Sequence, residues 1–224
     1  MDSSSGKLGV LLRNYLQSRY KILFYTLLLT FVLSPVLHSL HLSGTLMELL
    51  LAASLLVAIL PVSAVRTRPS LLAAMFVVWL ARPVSDLLDH RLLSTITLGI
   101  WAFIGLLAAA AALRFAMSAT QVDAEHLYAA LSAYLLAGIY LGLLFWLFEQ
   151  LSPGTFAVTG EFSQTSAIYF SFVTLATLGY GDIAPRADLA RGLAIIEGVG
   201  GQLFLAVLVA RLVSLYSKPG KQSD

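Results

Sequence analysis

Cysteine is absent from this 224-residue chain, and charged residues are scarce. Without cysteine there can be no disulfide and no thiolate metal site. Only 12% of the residues are charged and 58% are hydrophobic, whereas a soluble domain is usually about a quarter charged. A net charge of +2, with no basic run, gives no indication of nucleic-acid binding. The composition therefore favours a protein that folds in lipid.

Catalytic motifs are also missing. The chain contains neither a His-Glu-x-x-His nor a Gly-x-Ser-x-Gly motif. Its histidines all lie near the ends of apolar segments, at His38, His41, His90 and His126. A membrane-embedded enzyme should instead gather such groups within its spans. We therefore expect a protein that is not an enzyme and that needs no cofactor.

Long apolar segments recur along the chain. A helix that crosses a bilayer needs about 20 mostly apolar residues. Six segments meet this requirement: 22–40, 45–64, 69–88, 94–116, 126–150 and 189–216. Before the last of them, the apolar stretch 165–176 is about half the required length and is followed by glycines. This pattern predicts a short helix that enters the membrane and returns, because non-helical backbone at that depth must be enclosed by protein or water.

Lysine and arginine predict the orientation, because they are enriched in cytoplasmic segments. With six spans and both termini inside, ten lysines and arginines are cytoplasmic: Lys7, Arg13, Arg19, Lys21, Arg66, Arg68, Arg114, Arg211, Lys218 and Lys221. Four arginines are external: Arg82, Arg91, Arg186 and Arg191. We expect a multi-pass protein of the plasma (inner) membrane with both termini cytoplasmic. The same topology gathers acids around the outer mouth of the re-entrant segment: Glu149, Glu161, Asp182 and Asp188. They either raise the local cation concentration or are simply solvated loop charges.

The segment Thr177–Asp182, called the filter segment below, has the residue types that a pore for dehydrated cations needs. Backbone carbonyls can replace the hydration shell of an ion without holding it too tightly. Successive carbonyls reach one axis when the backbone alternates between left- and right-handed conformations, which glycine allows at Gly179 and Gly181. The Thr177 hydroxyl adds one more oxygen. The side chains of Leu178 and Tyr180 should turn away from the axis and pack behind it.

The short helix before the filter segment should also contribute electrostatically. The C-terminal end of a helix carries roughly half a negative charge, which favours a cation in a central cavity. Ser163 is the predicted N-cap of this helix, because a serine side chain can accept from the first free backbone N–H groups. Tyr169 and Phe170 are predicted to be packing aromatics.

The run from Tyr169 to Asp182 resembles the pore signature of tetrameric potassium channels, whose pattern Thr-Val-Gly-Tyr-Gly-Asp it matches at five of six positions. The resemblance implies an all-α homotetramer with six transmembrane helices per subunit, a re-entrant pore helix and K⁺ as the permeant ion. It assigns K⁺ coordination to Thr177, Leu178, Gly179 and Tyr180, within a filter that extends to Gly181. It assigns support of the filter to Tyr169, Phe170, Thr174 and Asp182.

Leu178 is the one departure from that pattern, since the family has valine there. Its carbonyl is unchanged, so the resemblance implies that potassium selectivity survives. Filter rigidity and inactivation are in doubt, because leucine is less stiff at χ1 than a β-branched residue. Tyr180 is retained, and relatives with aspartate at that position tend to be non-selective.

The last apolar segment contains several glycines and two polar residues. Family spacing makes Gly201 the candidate gating hinge, with Gly198 and Gly200 beside it, although close packing through small residues explains the glycines equally well. Gln202 is predicted to line the cavity below the filter. Glu197 is predicted to brace the back of the pore helix, protonated or hydrogen-bonded. A bundle crossing is expected near Val209–Val213.

These assignments divide the chain into an interfacial N-terminal segment (1–21), a four-helix voltage-sensor-like domain (22–117), a pore domain (118–218) and a short cytoplasmic tail (219–224). Segment 94–116 contains only Arg114, whereas steep voltage gating needs several charges per subunit. We therefore expect weak or absent voltage dependence, and no attached cytoplasmic ligand-binding domain. Two alternatives stay open: a non-selective monovalent cation channel and a non-conducting membrane scaffold subunit.

Overall fold

The computed structural model describes residues 18–39, 51, 53–54, 84, 91–119 and 123–216. These residues form five helices and two short strands: α1 (Arg19–Ser39), α2 (Arg91–Met117), α3 (Ala124–Leu151), β1 (Phe156–Val158), α4 (Gln164–Leu175), β2 (Ile183–Pro185) and α5 (Asp188–Tyr216). Apart from the four single residues, the predicted segments 45–64 and 69–88 lie outside the described residues. So do most of the N-terminal segment and the whole of the tail 219–224.

Three helices in the described part are long and apolar enough to cross a membrane: Leu92–Met117, Ala124–Leu151 and Asp188–Ser214. They coincide with the predicted segments 94–116, 126–150 and 189–216. Helix α1 covers the predicted segment 22–40 except for its last residue. Helix α4 begins and ends one residue before the predicted short helix 165–176. The mostly helical fold is therefore confirmed for this part of the chain.

Helix α3 is the central element, because it packs against α1, α2 and α4. Its residues Leu136, Tyr140 and Phe145 are fully buried. The Tyr140 ring lies directly over Gly105 of α2, where an added Cβ would overlap the ring. Since lipid supplies no hydrophobic drive between helices, such small-residue contacts are the usual way in which membrane helices approach closely.

Two glycines one turn apart on α3 receive helix α4, the predicted pore helix. A Cβ at Gly142 would lie 2.6 Å from the Ile168 Cα, and a Cβ at Gly138 would overlap the Phe172 ring. The spacing Gly138-x-x-x-Gly142 is typical of helix packing in membranes. The backbone of α4 is therefore held directly against α3.

Strands β1 and β2 form an antiparallel pair in the register Phe156↔Pro185, Ala157↔Ala184 and Val158↔Ile183. They were not predicted. The pair joins the segment before α4 to the segment after the filter. Beneath it lies an aromatic cluster of Phe145, Phe156, Phe162 and Phe170, in which the rings of Phe156 and Phe162 are stacked with centroids 4.4 Å apart.

The opposite end of the molecule gathers the start of α1, the end of α2, the start of α3 and the end of α5. The Tyr20 backbone N–H donates to Oε1 of Glu125 at 2.6 Å, and Arg211 donates to the Ala119 carbonyl at 2.5 Å. Asp123 caps α3 by accepting from the His126 backbone N–H at 2.8 Å. The first two of these hydrogen bonds join residues that are remote in sequence, and they fix this end of the bundle.

Candidate functional site

The site begins with helix α4. Ser163 is its N-cap, as predicted: the serine side chain accepts from the Ser166 backbone N–H at 3.1 Å. Phe170 is buried against Phe145 and Phe156, with ring centroids 5.0 and 5.3 Å apart. The aromatic cluster therefore anchors the outer half of α4, and Phe170 is a packing aromatic within this chain.

The backbone after α4 folds back onto the end of the helix. The N–H groups of Thr177 and Leu178 donate to the carbonyls of Thr174 and Val173, both at 2.9 Å. The Gly179 N–H also donates to the Val173 carbonyl, at 3.4 Å. A trans peptide directs its C=O opposite to its N–H. The carbonyls of the three preceding residues, 176–178, therefore point away from the helix, toward the exposed side of the loop.

The filter segment alternates in backbone handedness. Thr177, Gly179 and Gly181 have φ values of 58°, 58° and 78°. The two glycines fit the prediction that glycine is needed for this alternation. Thr177 was not predicted to have a positive φ, which is unfavourable for a β-branched residue and is a form of strain that persists where the surrounding structure imposes it. Its N–H bond to Thr174 supplies part of that constraint.

The side chains of Leu178 and Tyr180 are 57% and 66% exposed. The sequence led us to expect both to pack behind the filter segment, and the described part of the chain leaves both largely exposed. Both residues follow the end of α4. Their packing behind the filter segment stays a prediction.

Tyr169 and Asp182 connect the pore helix to the end of the filter segment. The Tyr169 hydroxyl donates to Oδ2 of Asp182 at 2.9 Å. This hydrogen bond raises the pKa of Tyr169 above its ordinary value of 10.0, because ionisation would place a phenolate beside a carboxylate. The Tyr169 side chain is 40% exposed in the single chain, where it acts as a hydrogen-bond donor. Its role as a packing aromatic stays a prediction.

The four predicted outer acids differ in their environments. Glu149 accepts from the backbone N–H groups of Gly154 at 2.7 Å and Phe156 at 3.1 Å, so it holds the loop after α3. Asp188 lies 3.7 Å from Arg191 in an exposed ion pair, and Glu161 is exposed. Neither sequence interpretation anticipated the structural role of Glu149. Within the described ranges, no group of three or more His, Asp or Glu side chains could hold a metal ion.

The glycines of α5 face α4 to different degrees. A Cβ at Gly201 would overlap the Leu175 carbonyl oxygen, whereas one at Gly198 would lie 3.6 Å from the Thr174 carbonyl oxygen. A Cβ at Gly200 would meet nothing within 4 Å. Close packing therefore requires glycine at position 201. The hinge function of Gly201 stays a prediction.

Gln202 lies next to the inner end of the filter segment. Its Nε2 donates to Oγ1 of Thr177 at 3.3 Å, and its side chain is exposed in the single chain. Further along α5, Val209 and Val213 are exposed and lie one turn apart on the same helix face. The geometry agrees with the expected positions of these residues, while their roles in a cavity and a gate stay predictions.

Glu197 is 3% exposed and points at the back of α4, where its Oε1 contacts the Ser171 hydroxyl. Ser171 in turn donates to the Gly138 carbonyl of α3 at 2.6 Å. Sequence reasoning did not identify Ser171, Gly138 or Gly142. The Gly-x-x-x-Gly spacing could have indicated the two glycines, whereas a single serine on an apolar helix gives no comparable signal.

Comparisons with known proteins point to an ion channel. A family model described as "Ion channel" matches residues 130–218. The chain is 35% identical over 71 residues to the inward rectifier potassium channel Kirbac3.1 of Paramagnetospirillum magnetotacticum. These 71 residues are 32% of this chain and 21% of that protein. It is 46% identical over 48 residues to two-pore potassium channel 4 of Arabidopsis thaliana, which is 21% of this chain and 17% of that protein.

The similarity therefore spans about a fifth of the length of each of these relatives. No solved structure matches the chain significantly. The matched region contains α4, the filter segment and nearly all of α3 and α5. The family match and the two relatives support an ion channel, and both of these relatives are potassium channels.

Proposed function

We propose that the chain is one subunit of a homotetrameric, potassium-selective channel that conducts K⁺ passively across the plasma (inner) membrane. The filter is Thr177–Gly181, and K⁺ is coordinated by oxygens of Thr177, Leu178, Gly179 and Tyr180. Asp182, Tyr169, Phe170 and Thr174 support it. Both termini are cytoplasmic, and the permeant ion is the only ligand that the mechanism needs.

One observation carries the proposal: three consecutive N–H groups of the filter segment are turned toward α4, so the carbonyls on the other side of those peptides point away from it. A carbonyl row of this kind can replace the water shell of a monovalent cation. The positive φ values at Thr177, Gly179 and Gly181 support a continuation of the row along the segment.

Four copies are required because one chain supplies only one side of an ion-binding site. Leu178 and Tyr180 are exposed in the single chain, and α5 is exposed along much of its apolar length. Neighbouring subunits would cover these surfaces, with Tyr180 packing against an adjacent subunit. The four α4 C-terminal ends would then face a common cavity, where their partial negative charges favour a cation.

Voltage dependence should be shallow. In α2, the helix at the position of a voltage sensor, Arg114 is a basic residue of the last turn, at the end opposite the filter segment. Moving one charge across 100 mV contributes only about 2.3 kcal/mol, so a single residue of this kind gives weak sensitivity. Opening would then depend on the filter, on the crossing near Val209–Val213, or on the membrane.

Potassium flux into liposomes that contain the purified protein tests the proposal. Wild type should take up potassium in preference to sodium, and Gly179→Ala should abolish uptake or selectivity, because the left-handed conformation costs a non-glycine residue roughly 1–2 kcal/mol in each subunit. Gly160→Ala is the matched control. Gly160 also has a positive φ, of 98°, and open surroundings, but it lies in the loop before α4.

Each other outcome has a definite meaning. Equal uptake of sodium and potassium by wild type would favour the non-selective channel. No uptake in several lipids would favour the scaffold subunit. If Gly179→Ala and Gly160→Ala both left selective uptake intact, the filter would lie elsewhere in the chain.

A further inference from the structure

The back of the pore helix carries a polar contact that crosses three helices. The contact runs from Glu197 of α5 to Ser171 of α4 and from there to the Gly138 carbonyl of α3. The side chains of Glu197 and Ser171 are both buried. The Ser171 hydroxyl lies within hydrogen-bonding distance of two oxygens at once. Among the described residues, no lysine, arginine or histidine forms an ion pair with Glu197.

Counting hydrogens decides the state of this contact. Two oxygens that lie within hydrogen-bonding distance of each other are joined by a hydrogen between them. The hydroxyl of Ser171 has one hydrogen, and the Gly138 carbonyl has none. If Ser171 donates to Gly138, the hydrogen between Ser171 and Glu197 must come from the carboxyl group of Glu197.

We propose that Glu197 is a protonated, neutral carboxylic acid that donates to Ser171, which donates to the Gly138 carbonyl, and that this relay positions the pore helix. An ionised Glu197 would place a carboxylate against a hydroxyl that has no second hydrogen to offer. Its other oxygen, Oε2, has no hydrogen-bond partner among the residues that the structure describes. A buried charge without a partner is strongly disfavoured, whereas the neutral acid leaves only one carbonyl-type oxygen unpaired.

The surroundings support a neutral acid. Glu197 lines an apolar cavity of about 270 Å³ between α2, α3 and α5, and its titratable neighbour there is Tyr134 of α3. The α2 residues of that lining are Leu106, Ala109, Ala110 and Leu113, and none of them is polar. From α4, the group that meets Glu197 is Ser171.

The relay joins α4, which leads into the filter segment, to α3 and α5. Ser171 lies two residues before Val173, whose carbonyl accepts the N–H groups of Leu178 and Gly179. A shift of α4 relative to α3 or α5 would therefore move the filter segment directly. The protonated state of Glu197 is inferred from the geometry alone. The effect of the relay on conduction rests on the proposed potassium-channel function.

Infrared spectroscopy of the purified protein at neutral pH tests the protonation. Wild type should show the carbonyl stretch of a protonated carboxylic acid, and Glu197→Gln should lose it. Glu161→Gln, at an exposed acid, is the matched control and should keep it. In Ser171→Ala the band should shift, because its acceptor is gone. If the spectra of Glu197→Gln and Glu161→Gln both matched wild type in the region of the carboxylic-acid carbonyl stretch, the proposal would be overturned.

Potassium flux with the same variants tests the positioning role. The amide of Glu197→Gln can still donate to Ser171, so its flux should stay near the wild-type value. Glu197→Met has similar length but no donor, and its flux should fall severalfold or more, because the buried Ser171 hydroxyl loses its donor and α4 is held less firmly. Equal fluxes for the Gln and Met variants would overturn the positioning role. A wild-type protein that shows the band but conducts no potassium would instead contradict the proposed function and leave the protonated acid in place.

Discussion

The Tyr169 hydroxyl and Oδ2 of Asp182 are joined by a hydrogen bond of 2.9 Å that ties the pore helix to the end of the filter segment. The two residues are 13 positions apart, and all of Thr177–Gly181 lies between them. A filter that departs from the family pattern at Leu178 has one fewer β-branched residue to stiffen it. The bond across the loop should therefore matter for how long the segment keeps its conducting shape.

Replacing Tyr169 by phenylalanine should speed the loss of current during sustained opening, because the hydroxyl that holds Asp182 is removed. Tyr25→Phe is the matched control. Its hydroxyl lies 3.5 Å from the Tyr128 hydroxyl in an exposed contact that is remote from the filter segment. The measurement is the decay of macroscopic potassium current in planar bilayers. Identical decay in wild type and Tyr169→Phe would show that this bond does not stabilise the filter.

The same bond predicts a pH dependence. Because donation to Asp182 raises the pKa of Tyr169 above 10.0, its contribution is complete below about pH 10 and is lost as pH rises through the higher folded value. Current decay should therefore be constant from neutral pH to about pH 9 and should accelerate at more alkaline pH. Tyr169→Phe should lack that acceleration. Retention of the full alkaline response in Tyr169→Phe would assign it to another group.

Substituting Gly142 tests the packing of the pore helix on α3. A Cβ there would lie 2.6 Å from the Ile168 Cα, and backbone cannot move aside as a side chain can. Gly142→Ala should therefore lower the free energy of unfolding by about 1–3 kcal/mol, as overpacking usually does. Gly192→Ala is the control, because a Cβ at Gly192 of α5 meets nothing within 4 Å. Thermal unfolding in detergent measures both, and equal midpoints would mean that α4 does not pack closely on α3.

The contact between Gln202 and Thr177 predicts how the inner end of the filter responds to charge. Gln202→Glu would add a carboxylate in each subunit beside the Thr177 hydroxyl, and block by a large organic cation applied from the cytoplasmic side should become roughly tenfold tighter. Gln164→Glu adds the same charge at the first residue of α4, at the other end of that helix. It should leave internal block unchanged. Block that is the same in both variants would place Gln202 outside the cavity.

Features that depend on local sequence were predictable. The apolar segments 94–116, 126–150 and 189–216 gave helices close to their observed bounds, because length and hydropathy suffice for a membrane helix. Ser163 caps α4 because serine before a helix can accept a free backbone N–H. Gly179 and Gly181 have the expected positive φ because glycine carries no Cβ penalty.

Features that depend on contacts between distant residues were not predictable. Strands β1 and β2 have three residues each, too few to show an alternating pattern. The positive φ of Thr177 contradicts its own preference and is imposed by hydrogen bonds to the end of α4. Glu149 is predicted to be an outer acid, and nothing in the local sequence indicates that it also accepts from two backbone N–H groups of the following loop.

The inner helix shows where sequence and structure complement each other. Spacing from the filter segment identified Gly201 and Gln202, and both lie against the end of α4 or Thr177. Spacing alone could not separate a hinge from a packing contact. The Leu175 carbonyl, which leaves no room for a Cβ at Gly201, supplies a packing reason for that glycine.

The reversal potential of the current is the most direct test of the central claim. Purified protein in a planar bilayer should be recorded with a KCl gradient in one direction and an equal NaCl gradient in the other, so that the equilibrium potentials of the two cations have opposite signs. A potassium-selective filter at Thr177–Gly181 predicts reversal close to the potassium equilibrium potential. Reversal near zero, or near the sodium equilibrium potential, would contradict it.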